Sequence, residues 1–173
     1  AADGLIHNSI TSLIPSMLIS PIGSIILKLA MSRTNKQYHL IILAMTISIA
    51  IACGFAYTKF YKYLYPKKQF PTEEMLKRTD SSGLISTIII VTVCSLSFNL
   101  AMKNNETTDL IAIGIATALL PPIVNIGCLL GSDVFIRPPY IITSSIFLIN
   151  FAILFLGVFL SPNKSEKYLL GLN

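Results

Sequence analysis

The chain has 173 residues, 53% of them hydrophobic and 12% charged, with a formal net charge of +5 and a mean hydropathy of +0.71. Soluble domains are roughly a quarter charged, so this balance excludes an ordinary water-soluble globule and points to lipid. Most of the basic residues lie in loops beside apolar runs, where anionic lipid and the positive-inside bias account for them; nucleic acid is not an expected partner.

A spanning helix needs about 20 apolar residues, because each rises about 1.5 Å through a hydrocarbon core about 30 Å thick. Five runs reach that length, and 84–102, 110–130 and 140–160 hold no Asp, Glu, Lys, Arg or His. Continuous runs without polar alternation exclude a β-barrel wall. The expected fold is therefore all-α: a polytopic helical membrane bundle, one transmembrane domain over 1–173.

The first span covers about 5–30 and contains Pro15 and Pro21. After a polar turn, the second covers about 40–58, where Ala44, Ser48, Ala52 and Ala56 recur every four positions. Such a stripe lets a neighbouring backbone come close, and packing within the chain is its first reading, an oligomer contact the second. The segment 59–80 interleaves Tyr and Phe with Lys and suits the headgroup level, placed here on the cytoplasmic side. Within it a short helix starts after Pro71, with Thr72 as N-cap and Glu73 and Glu74 in the first turn. The third span is about 83–102, the fourth 110–131 and the fifth 140–160, followed by an interfacial tail.

The segment "LISPIGSI" at 18–25 has an echo, "LLPPIVNI", at 119–126. Aligned on Pro21 and Pro122, Leu18 meets Leu119, Ile22 meets Ile123, Ser24 meets Asn125 and Leu29 meets Leu130. The same register lays the second span on the fifth. Copy one is about 5–58 and copy two about 84–160. Three crossings separate the copies, so they enter the membrane in opposite directions: an inverted repeat, the plan of many transporters and some channels. Its symmetry calls for one more span upstream of residue 1.

Proline inside a helix removes its own N–H and frees the carbonyl four residues back. Pro21 frees Met17, Pro121 frees Thr117 and Pro122 frees Ala118. A bare carbonyl in hydrocarbon is costly and must find a partner. One reading is a plain kink closed by nearby Ser and Thr. The other is a pair of broken helices, in spans one and four, meeting near the midplane around an ion or small polar solute. On that reading the substrate-binding residues are Ser20, Pro21, Ser24, Thr117, Pro121, Pro122, Asn125 and Asn150, with Ser16 nearby. Asn99 and Asn150 are the other intramembrane amides, and interhelical glue is the first reading of each, a ligand the second.

No Asp, Glu, Lys or Arg lies deep in a span, which disfavours a proton-coupled pump. No HExxH, P-loop or glycine-rich phosphate cradle is present, and Cys53, Cys94 and Cys128 fit no zinc or disulfide pattern. No enzyme activity, metal or cofactor is expected. The expected function is a small channel or transporter; the alternative is a structural or accessory membrane subunit. The expected partners are the lipid bilayer and either further copies or a larger membrane assembly.

"SMLISPIGSII" at 16–26, "EMLKRT" at 74–79, "ALLPPIVNIG" at 118–127 and "FLINFAILFLG" at 147–157 resemble, in order, the hydrophobic family called domain of unknown function 389. The resemblance implies a multi-pass membrane protein with a further span before the "LISP" segment, and implies no particular activity. Relatives often carry proline soon after "RT" and an acid near the next span; here Ser81 and Ile85 stand instead.

Overall fold

The computed structural model describes residues 1–31, 36–77, 81–104, 109–133 and 137–159. The described elements are helices α1 (Ala2–His7), α2 (Ile10–Ile19), α3 (Ile22–Met31), α4 (Lys36–Leu64), α5 (Glu73–Lys77), α6 (Ser81–Asn104), α7 (Asp109–Gly131) and α8 (Arg137–Phe159). Among the described residues, four stretches are long and apolar enough to cross a membrane: Ile10–Leu29, Lys36–Leu64, Ala112–Gly131 and Pro139–Gly157. Within α6 the apolar stretch among the described residues is the shorter Ile88–Ser97. The side chains facing outward are themselves apolar, among them Ile19, Ile41, Met45, Ile89 and Leu148, as a surface set in lipid requires.

The expected first span is divided twice. Asn8 closes α1 in the left-handed region at φ 55°, which asparagine tolerates better than most residues. Ser20 is extended, with ψ 126°, because the residue before a proline is pushed out of the helical region. Pro15 lies within α2 without ending it. The expected break in the fourth span takes a different form: α7 stays α-helical through Pro121 and Pro122, both buried.

Helix α7 is the centre, packed by α4, α8, α3, α2 and α6. Its contact with α4 is backbone against backbone. A Cβ on Gly54 would stand 2.6 Å from the Val124 carbonyl oxygen, and one on Gly131 2.7 Å from that of Phe55. Gly127 lies equally hard against the Ile51 carbonyl, and Gly23 of α3 against that of Ala112. The small-residue stripe read from the sequence is not this face. Ala44, Ser48, Ala52 and Ala56 are all exposed, while Leu43, Gly54 and Thr58 are buried. Packing within the chain is thus carried by a different face of α4, the one whose Ile51 and Phe55 backbones lie against Gly127 and Gly131 and whose Gly54 lies against Val124.

These contacts set directions. Ile51 lies by Gly127 and Phe55 by Gly131, so α4 and α7 run parallel. Asp3 of α1 accepts from Tyr57 Oη at 2.7 Å near the α4 C-terminus, whereas Gly23 lies by Ala112 near the start of α7. The α2–α3 segment therefore runs opposite to α7.

At the C-terminal end of α4, α1, the 65–72 loop and α5 form a cap. The expected short helix is α5, but its capping differs from expectation. Thr72 Oγ1 donates to the Leu5 carbonyl at 2.6 Å, and the α5 Glu74 N–H is taken at 3.0 Å by Asn8 Oδ1 from α1. Lys68 Nζ donates to the Ile6 carbonyl at 2.7 Å and lies over the Tyr61 ring. Lys59 and Lys62 pair with Asp133 beyond α7, and their ammonium groups hold that carboxyl below the usual carboxylate range.

Gly54→Ala is expected to push α4 and α7 apart at a cost of about 1–3 kcal/mol, read as a lower thermal unfolding midpoint in detergent. Ala52→Leu, on the exposed side of α4, is expected to leave the midpoint in place. The Asp3 carboxyl is held below its ordinary value chiefly by the Tyr57 phenol, with smaller help from Ser12 and His7. A depressed folded value stabilises above the unfolded one, about pH 3.9, and that stability is lost as pH falls through the folded value. Proteolysis of α1 is thus expected to rise only below about pH 4, and Asp3→Asn to abolish that acid dependence.

Candidate functional site

The eight residues singled out by the sequence separate into two places around α7. The first is an open-sided groove of about 530 Å³ at the α2–α3 interruption, lined by Ser16, Ile19, Ser20, Pro21, Ile22, Thr46, Ile49, Ala50 and Leu120. It joins the first interrupted segment to α4 and, through Leu120, to the echo segment on α7. Ser24 lies one turn further and is half-buried.

The freed groups at this interruption are closed locally. The Met17 carbonyl, released by Pro21, accepts from the Ser20 N–H at 3.3 Å. Ser20 Oγ accepts from the Ile22 N–H at 3.4 Å, and Ser24 Oγ donates to the Pro21 carbonyl at 2.9 Å. Ser16 Oγ donates to the Leu13 carbonyl at 2.6 Å. These are the side-chain-to-backbone bonds with which Ser and Thr relieve a kink. Among the groove's polar groups, Thr46 Oγ1 likewise donates back to Ile42, at 2.8 Å.

The second place is the buried face of α7 turned to α8 and α5. Thr117 Oγ1 donates to the Gly114 carbonyl at 2.6 Å. The Ala118 carbonyl, released by Pro122, accepts from Asn150 Nδ2 of α8 at 3.3 Å. One turn past the prolines, Asn125 Nδ2 donates to the Met75 carbonyl of α5 at 3.1 Å. Both asparagines are fully buried. Each amide joins two elements through its NH2 and leaves its oxygen without a partner. The Asn99 side chain lies outside the described residues.

Two residues were missed from the sequence. Thr46 resembles any polar residue in a span, and nothing in its spacing marks it. Thr143, fully buried with its hydroxyl unpartnered, does have a signal: it precedes Asn150 by seven residues, two helical turns on one face.

These features define an all-α bundle in which, among the described residues, four apolar stretches are of membrane-spanning length, one of them the buried, proline-bearing central helix α7. A family model described as a domain of unknown function, DUF389, matches residues 17–156, and the chain belongs to that family. No curated protein and no solved structure matches it.

Asn150→Leu is expected to leave the Ala118 carbonyl bare in the interior and to cost about 1–3 kcal/mol. The check is denaturant unfolding in micelles beside a Leu148→Ala control, whose side chain faces outward.

Proposed function

We propose that this chain is a small membrane channel or transporter that moves an ion or small polar solute past the interrupted first span. One observation carries the reading: the groove of about 530 Å³ at that interruption, which brings Ser16, Ser20 and Thr46 together in otherwise apolar surroundings and reaches Leu120 of the proline-bearing α7. The opposed directions of α2–α3 and α7 fit an inverted repeat, and with it the alternating-access plan. Further copies of the chain, or a larger membrane assembly, cover the outer faces and close the groove's open side. The second reading, a structural or accessory membrane subunit, is favoured by the local closure of the Ser16, Ser24 and Thr117 hydroxyls.

Reconstitution into liposomes separates the two. Swelling and tracer assays with alkali cations and small neutral solutes are expected to show flux from the native chain. Ser20→Leu, which fills the groove, is expected to lower it on the order of tenfold, the effect of about 1.4 kcal/mol of added barrier. Flux indifferent to Ser20→Leu and Thr46→Leu removes the groove as the route. A folded native chain that passes neither class of solute leaves the accessory subunit.

A further inference from the structure

We infer that the seam between α7 and α8 is a built site for a small electropositive guest, water or an alkali cation, held by the oxygens of Asn125 and Thr143, with the Asn150 oxygen standing further along the same column. Among the described residues, three buried side-chain atoms have no hydrogen-bond partner: Asn125 Oδ1, Thr143 Oγ1 and Asn150 Oδ1. Each belongs to a residue with 0% exposure. The orientation of both amides is settled by their bonds, because each NH2 is committed to a backbone carbonyl, Met75 for Asn125 and Ala118 for Asn150. Two acceptors and a hydroxyl are left with nothing to bind, a state that polar groups inside proteins rarely keep.

Helical spacing places the three in one column. Asn150 meets α7 at Ala118. Seven residues toward the α7 C-terminus is Asn125, and seven toward the α8 N-terminus is Thr143. Each step is about 10 Å along its axis and within about 20° of the same face. In two helices joined as an antiparallel hairpin, Thr143 arrives opposite Asn125 and beside the Met75 carbonyl. Asn150 stands two turns away.

The chemistry of the column selects its guest. Uncharged oxygens attract the protons of water or a monovalent cation; they repel anions, and without a carboxylate they suit a divalent ion poorly. Buried water settles where two to four such groups converge. The seam is distinct from the proposed solute route: Leu120, which lines the groove, lies about 140° around α7 from Asn125. The site therefore needs no transport activity.

Two readouts on the full chain in nanodiscs test it. Hydroxyl-radical labelling oxidises side chains next to bound water; with water in the seam, Met75 is labelled although it is 0% exposed. With a cation in the seam, the unfolding midpoint is several degrees higher in NaCl than in choline chloride of equal ionic strength, because a ligand of the native state stabilises it. Whichever signal is found is expected to vanish in Thr143→Val, or in Thr143→Ala should the valine variant not fold, and to persist in Thr143→Ser. An unlabelled Met75 together with equal midpoints in the two salts overturns the site, as does a signal that survives loss of the hydroxyl. Neither readout uses flux, so this site and the transport reading fail separately.

Discussion

The structure depends on two helix backbones lying directly against each other. Gly54 on α4 and Gly127 and Gly131 on α7 leave no room for a side chain between the helices. Contact at that distance replaces the hydrophobic driving force that lipid cannot supply between helices, since lipid tails are as apolar as leucine. With α7 locked to α4 on one face, its opposite face is left for α8 and α5. The cap of α1 and α5 is then hung on the same pair through Asp3–Tyr57 and Asn125–Met75.

The two proline segments solve one problem in two ways. Proline always frees a carbonyl, and the remedy depends on where the carbonyl lies. At exposed Pro21 the chain opens, and neighbouring serines and the Ser20 N–H satisfy the loose groups within a few residues. At buried Pro122 there is no room to open. The helix continues, and a partner comes from another helix, Asn150, across the α7–α8 seam. The same pattern in sequence thus produces a groove in one place and a buried polar contact in the other.

Much of the fold was legible because it follows from local composition. Four apolar stretches of spanning length, the short helix after Pro71 and the interruption at Pro21 stand as expected, whereas the expected third span shows only the shorter apolar stretch Ile88–Ser97 among the described residues. The face of α4 that packs inward was misread. A stripe of Ala44, Ser48, Ala52 and Ala56 and the face bearing Gly54 and Thr58 are equally plausible along one helix, and the choice rests with the glycines of a partner more than sixty residues away. The cap of α5 was misread for the same reason: Thr72 has the right chemistry, but Asn8 has the right position.

By itself the sequence determined that the chain is helical, apolar enough for lipid, and bent by proline at positions that echo each other. Those properties belong to single helices and depend on residues within a turn or two. Only the tertiary structure decided that α7 lies at the centre, that Ser20 and Thr46 share a groove while Asn125 and Asn150 lie outside it, and that Thr143, like the two asparagines, is buried with an oxygen left unpartnered. Such pairings depend on which faces meet, and in a chain whose helices are apolar nearly all round, periodicity marks no preferred face.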